Sequence, residues 1–156
     1  IAQRYPYAGA TNPSVSLWQY ELATGQQQEI WRDSPEQAYL ARVNADTTGL
    51  YIQYQDRLQQ TLVIMHKNYI DSQWHTYHTE HSKTWINLTD DFIELPSGGH
   101  AFTTESSGRR QAILIDAPNA PRNLTSPTHI NQLIGTSVNN SSITAIVNDI
   151  ASKNKS

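Results

Sequence analysis

A four-strand unit recurs along this 156-residue chain. Ser16-Leu-Trp-Gln-Tyr-Glu-Leu, Thr61-Leu-Val-Ile-Met-His-Lys and Gln111-Ala-Ile-Leu-Ile-Asp-Ala begin 45 and 50 residues apart. Each leads into a more polar strand, at Gln26–Trp31, Gln73–Thr79 and Arg122–Ser126. A strand, a turn and a further strand follow: Tyr39–Ala45 with Leu50–Asp56, Trp85–Leu95 with His100–Thr104, and Leu133–Val138 with Ile143–Asn148. Gly25, Asp46–Gly49, Pro96–Gly99, Gly108, Pro118–Pro121 and Asn139–Ser142 supply the breaks. Four strands in roughly 40–50 residues is the period of a β-propeller blade. The patterning agrees, because Leu62–Met65 and Ile113–Ile115 are apolar towards both faces of their strands. A sheet with one wet face would alternate, whereas a blade between two neighbours is covered on both sides. A two-sheet sandwich tolerates some of this and is the structural alternative.

The expected fold is therefore all-β: about three four-stranded antiparallel blades forming an open partial ring. The blades fall at 14–57, 61–105 and 110–148, with a lead-in arm over 1–13 and a tail over 149–156. Only Ile143–Lys155 is ambiguous between strand and helix.

Composition narrows the function. Net charge is −3 with 16% charged residues, and the Lys and Arg are scattered, so a nucleic-acid partner is not expected. Cysteine is absent, which removes disulfides, zinc–thiolate sites and a cysteine nucleophile together. No apolar run reaches the ~18 residues that would span a bilayer as a helix. Ile1 stands where a complete chain would carry Met, and no signal-peptide pattern follows. A processed or excised piece of a longer protein is expected, with any targeting segment upstream.

The residues that invite a chemical reading each have a plainer alternative. Gly135-Thr-Ser-Val-Asn139 is the nearest match to a nucleophile elbow, but it lacks the second glycine and sits between strands. His75, His78 and His81, near Glu80, have spacing that could gather metal ligands on a helix. On the strand that Trp74, Thr76, Tyr77 and Thr79 favour, His75 and His81 share a face and His78 points away. Asp90, Asp91 and Glu94 suggest paired carboxylates, yet adjacent residues point apart and the Pro96–Gly99 turn follows. Arg109-Arg110 fits a carboxylate of a neighbouring blade better than one of a substrate. The sequons at Asn87, Asn123, Asn139 and Asn140 are cheap in so Asn/Ser/Thr-rich a chain. No catalytic residue, no cofactor-binding residue and no metal ligand is assigned.

Four stretches in order resemble the N-terminal propeller domain of dipeptidyl peptidase IV, in the prolyl oligopeptidase family. Arg4-Tyr-Pro-Tyr-Ala-Gly-Ala-Thr-Asn-Pro13 is similar to the family's YPKAG-x-x-NP segment, with Tyr7 in place of Lys. Leu50–Gln60 is similar to its QW-L-x-R-x-Q-N run, with Tyr54 in place of Trp and with Arg57 and Gln59 matching. Trp85-Ile-Asn87, Asp90-Asp-Phe92, Gly98-Gly99 and Thr104–Gln111 resemble W(V/I)N…DGSF…SSE-x-(D/S)-G-(F/Y)-RH, with Glu105, Gly108 and Arg110 in register. Leu124-Thr-Ser126 is similar to the step that follows.

The resemblance implies a parent serine exopeptidase that releases dipeptides, often X-Pro, from peptide N-termini. Its catalytic serine, aspartate and histidine would lie on an α/β-hydrolase domain outside this chain. The glutamate pair that holds the substrate's amino group would precede Arg4. The partners implied are that peptidase domain and a peptide substrate, and the implied setting is periplasmic, secreted or cell-surface. On this reading the chain gates and positions substrate and is itself inactive. The alternative is a propeller or sandwich module that binds protein or carbohydrate. Three blades cannot close a ring, so self-association or re-pairing of terminal strands is expected.

Overall fold

The structure is a computed structural model that describes residues 13–34, 39–70, 73–96, 98–116, 118, 120–125, 129–137 and 142–148. Among these residues the fold is all-β. The strands are β1 (Ser16–Tyr20), β2 (Gln27–Arg32), β3 (Tyr39–Ala45), β4 (Gly49–Gln55), β5 (Thr61–Asn68) and β6 (Trp74–His81). They continue with β7 (Phe92–Glu94), β8 (His100–Thr104), β9 (Gln111–Ile115), β10 (Pro121–Asn123), β11 (His129–Thr136) and β12 (Ile143–Asn148). All pairing is antiparallel, in four groups: ribbon β1-β2, sheet β3-β4-β5-β6, sheet β7-β8-β9-β10 and ribbon β11-β12.

The groups stack face to face in chain order. Tyr51, Ile64 and Tyr77 of the first sheet pack on Phe102, Ile113 and Ile115 of the second. Ala101 and Ala112, on the other face of the second sheet, pack on Ile130 and Leu133 of the last ribbon. Trp31 of β2 meets Tyr54 of β4, and the Trp74 indole N–H donates to the Ile30 carbonyl at 2.7 Å. Every residue of β8 and β9 is buried. That accounts for the unbroken apolar run at Ala112–Ile115: alternate side chains serve two different neighbours.

The expected units 14–57, 61–105 and 110–148 each straddle two of these groups, because the strands combine two, four, four and two. A repeat sets a period and leaves its phase open; local turns decide the phase. The turn between β4 and β5 is one such case: the Asp56 carboxylate accepts the N–H groups of Gln60 and Thr61 at 2.8 and 3.1 Å, and Gln59 sits at φ 57°. This Asx-type closure ties β4 to β5 as a hairpin inside one sheet. The expected strand Trp85–Leu95 shortens to Phe92–Glu94. Upstream of it, Ile86 N–H donates to Gln59 and its carbonyl accepts from the Gln55 amide, so that backbone serves a crossing between sheets. Ile143–Asn148 is a strand; the proposed arm up to Asn12 and the tail 149–156 lie outside the described residues.

A buried polar tie centred on His100 joins the two four-stranded sheets. Asp46 follows β3, and its Oδ1 accepts the N–H groups of Thr48 and Gly49 at 2.7 and 2.9 Å, closing the turn into β4. Its other oxygen accepts from His100 Nε2 at 2.8 Å, across the gap to β8. The Tyr77 hydroxyl lies 3.1 Å from His100 Nδ1 and donates to the Ile115 carbonyl at 2.9 Å. Gly99 precedes His100 at φ 85°, where a Cβ would come within 2.6 Å of that same carbonyl oxygen, so the approach needs glycine. Tyr77 reaches this tie because β6 carries a bulge there: Ile64 faces His78 and Met65 faces Thr76, leaving Tyr77 as the extra residue.

Ile115→Ala should cost about 2–5 kcal/mol as a cavity in a layer that cannot collapse. Tyr77→Phe should cost about 1–3 kcal/mol by leaving buried polar atoms unmatched. Urea denaturation followed by tryptophan fluorescence measures both. Neutral outcomes at both positions would contradict face-to-face burial of the sheets.

Candidate functional site

The signature residues converge at the crossing from the first sheet to the second. The Trp85 indole N–H donates to Asn87 Oδ1 at 3.2 Å, and Asn87 Nδ2 donates to Glu105 Oε2 at 2.6 Å. Glu105 Oε1 faces Arg110 Nη2 at 3.4 Å, and Arg110 Nη1 donates to the Asn131 carbonyl in β11 at 3.0 Å. Gly108 N–H closes the intervening turn onto the Glu105 carbonyl at 2.8 Å, with Gly108 at φ 83°. Tryptophan, asparagine, glutamate and arginine thus form one chain of polar contacts from the crossing segment to the last ribbon. The matching positions of Leu50–Gln60 lie in β4 and in the turn held by Asp56. At the fourth stretch, Thr125 Oγ1 accepts the Ala112 N–H at 3.1 Å, while Ser126 lies outside the described residues. Arg4–Asn12 of the first stretch also lies outside them.

Beneath this chain of contacts, Glu80 and Asp91 are buried beside a cavity of about 20 Å³, with room for one water. Asp91 accepts from Thr103 Oγ1 at 2.8 Å and from the Leu133 N–H at 2.9 Å, joining β8 to β11. Burial raises the Glu80 carboxyl above its usual range; a hydrogen bond with Thr104 offsets this in part and the charge of Glu105 adds to it. Burial alone lowers His78. At the tie between the sheets, burial lowers His100 more than the Asp46 hydrogen bond and charge raise it. Burial also acts to raise Asp46, but hydrogen bonds from Thr48, Gly49 and His100 outweigh it and hold the carboxyl low. The neutral imidazole therefore donates from Nε2 to a carboxylate.

The other candidates separate. His78 is buried against Phe102, His81 Nδ1 meets Thr61 Oγ1 at 3.2 Å, and His75 is exposed. The bulge at Tyr77 resets the alternation, so His75 and His81 do not share a face. No group of three or more His, Asp or Glu placed to hold a metal occurs among the described residues. Asp90 is exposed and pairs with Arg42, Asp91 is buried, and Glu94 accepts from Thr47 Oγ1 at 2.6 Å, so the three acids point apart. Arg110 pairs with the Glu105 carboxylate in the turn of its own sheet rather than with a carboxylate of a neighbouring one, and reaches the next ribbon at the Asn131 carbonyl. Gly135 and Thr136 lie in β11, and the Ser137 hydroxyl accepts the Ser142 N–H at 3.1 Å across the turn to β12. Val138, Asn139 and Asn140 lie outside the described residues. Sequence reasoning missed Asp46 and His100; an Asp-Thr-Thr-Gly turn and a histidine after Gly98-Gly99 were the available signals.

An open cleft of about 610 Å³ separates the first ribbon from the first sheet. Trp31, Tyr54, Val63 and Met65 form its apolar wall, with Asp56 and Arg57 at its polar rim. No helix among the described residues is long and apolar enough to cross a membrane.

Because the folded pKa of Glu80 is raised, its contribution favours folding fully below the unfolded value of about 4.3. That contribution is lost as pH rises through the folded pKa. Glu80→Gln should therefore stabilise the chain at pH 8, on the order of 1 kcal/mol, and have little effect near pH 4. Thermal or urea unfolding at the two pH values checks it; destabilisation at pH 8 would contradict a buried carboxylate whose burial is only partly offset.

The fold agrees with comparison to known proteins. The family model described as "Dipeptidyl peptidase IV (DPP IV) N-terminal region" matches residues 1–149. Dipeptidyl peptidase 4 of Porphyromonas gingivalis superposes with a TM-score of 0.76 at 20% identity, over 88% of this chain and 20% of that one. A putative dipeptidyl aminopeptidase IV from Bacteroides ovatus superposes with a TM-score of 0.77 at 16% identity, over 90% of this chain and 24% of that one. The chain spans about a fifth to a quarter of the length of these two proteins, and at such identities the likeness establishes the fold. With the family model covering nearly its whole length, this chain belongs to the dipeptidyl peptidase IV N-terminal region family.

Proposed function

We propose that the chain is the non-catalytic propeller portion of a serine-type dipeptidyl peptidase, gating and positioning peptides for an α/β-hydrolase domain elsewhere in the parent. One observation carries this reading. The signature residues Trp85, Asn87, Glu105 and Arg110 are engaged with one another and with β11, which is the work of a scaffold. Stacked sheets tied in this way hold a rigid wall, and a rigid wall beside an active site admits extended peptides more readily than folded proteins. The parent's setting on this reading is periplasmic, secreted or cell-surface, and the 156-residue chain alone associates with copies of itself.

Two assays test the proposal. The chain alone should not hydrolyse an X-Pro chromogenic substrate; turnover blocked by a serine-directed inhibitor would overturn the non-catalytic role. In the parent, Asp91→Ala should loosen the contact between β8 and β11. Cleavage of long polypeptides should then rise relative to the short X-Pro substrate. An unchanged ratio would contradict gating by this wall.

A further inference from the structure

The tie at His100 has one hydrogen fewer than it has contacts. The His100 and Asp46 side chains are only 3% and 6% exposed, so their polar atoms are matched from within the protein. Asp46 Oδ2, a carboxylate oxygen, only accepts, which fixes a hydrogen on His100 Nε2, 2.8 Å away. In the neutral ring Nδ1 is then a bare acceptor. It lies 3.1 Å from the Tyr77 hydroxyl, whose own hydrogen goes to the Ile115 carbonyl at 2.9 Å. A hydroxyl carries one hydrogen, and both of its neighbours here are acceptors. The other neutral tautomer fares no better, because it would turn the Nε2 lone pair onto the Asp46 carboxylate. One proton added at Nδ1 completes the set at the distances already present. Nε2–H then donates to Asp46, Nδ1–H to the Tyr77 oxygen, and the Tyr77 O–H to Ile115.

The surroundings of the ring suit a cation. Tyr51 of β4 and Phe92 of β7 each lie with ring centroids 4.4 Å from the imidazole, Phe92 stacked on it at 15°. Tyr77 of β6 meets it edge-on at 5.6 Å and 89°. Aromatic faces within about 6 Å of a cation attract it. Burial opposes the proton and so does His66 of β5, while Asp46, in the turn after β3, and Glu94 of β7 favour it. Burial outweighs the favourable charges, so the ring titrates on the acid side of the ordinary histidine range. The Tyr77 hydroxyl keeps its own hydrogen throughout, because burial and the charges of Tyr51, Asp46 and Asp116 push its ionisation far up.

We infer that the seam between the two four-stranded sheets contains a proton-binding site. On acidification His100 Nδ1 takes up one proton and donates it to the Tyr77 hydroxyl, which stays committed to the Ile115 carbonyl. The contact between β6 and β8 thereby gains a hydrogen bond, and the Asp46–His100 contact becomes an ion pair. Both sheets are complete among the described residues, and the chemistry of the seam is independent of the peptidase reading.

Histidine labelled with 15N in the full chain reads by NMR the tautomer and charge of each of its six rings. His100 is assigned through its contacts with the Tyr51 and Phe92 rings. At neutral pH it should carry hydrogen on Nε2 alone. Below the ordinary histidine range, Nδ1 should gain a slowly exchanging hydrogen close to the Tyr77 ring. Tyr77→Phe removes the acceptor for that hydrogen and should lower the His100 midpoint by about one pH unit, the worth of one buried hydrogen bond. Tyr54→Phe, at a ring that faces Trp31 instead, should leave the midpoint in place. Hydrogen on Nδ1 at neutral pH, a freely exchanging Nδ1–H, or a ring that stays neutral until the chain unfolds in acid overturns the site. So does a midpoint that Tyr77→Phe leaves unchanged or raises, or that both variants lower equally. Should Tyr77→Phe fail to fold, the tautomer and exchange rate of the unsubstituted chain decide alone.

Discussion

The central strands β8 and β9 of the sheet β7–β10 have no wet face, and the rest of the structure follows from that constraint. A sheet covered on both sides needs apolar residues at successive positions, which β8 and β9 supply at Ala101–Phe102 and Ala112–Ile115, within strands buried throughout. Such a segment cannot stand alone in water, nor as half of a two-layer sandwich. It needs a neighbour on each side, and the chain provides them in order: the sheet β3–β6 before it and the ribbon β11–β12 after it. Apolar stacking is strong but does not direct alignment. Alignment comes from a few buried polar ties, each reaching from one layer to the next: Asp46 to His100, Tyr77 to Ile115, and Asp91 to Leu133.

The most recognisable residues take part in contacts of the same kind. Glu105 and Arg110 look like chemistry in isolation. In place, Glu105 accepts from Asn87, and Arg110 reaches across to β11. The burial of Glu80, His78 and His100 shifts their protonation, as it would in an active site; here Glu80 is hydrogen-bonded to Thr104, His100 to Asp46, and His78 packs on Phe102. Perturbed titration marks tight packing here.

The sequence carried the architecture further than the details. The 45- and 50-residue spacing and the two-faced apolar runs at Leu62–Met65 and Ile113–Ile115 suffice for stacked four-stranded sheets, because burial on two faces leaves a visible pattern. The phase of the repeat was not legible. It depends on which loops close as hairpins, and the Asp56 turn decides that through side-chain bonds to Gln60 and Thr61. The bulge at Tyr77 was equally invisible. It places Tyr77 and His78, adjacent in sequence, both against the second sheet, where alternation would have separated them. The site was legible as a set of motif residues, while their joint role as a tie emerged only with the contacts. Trp85–Thr89 has the composition of a strand and lacks a ladder because its backbone is committed to neighbours across the gap.

Native-state hydrogen exchange, resolved by strand, measures the dependence of the fold on layered burial most directly. Amides of β8 and β9, covered on both faces, should exchange slowest, together with those of β4 and β5, at a common free energy equal to that of global unfolding. The ribbons β1-β2 and β11-β12 should open at lower free energy. Exchange from β8 and β9 as fast as from the ribbons would contradict a structure organised around a sheet buried on both faces.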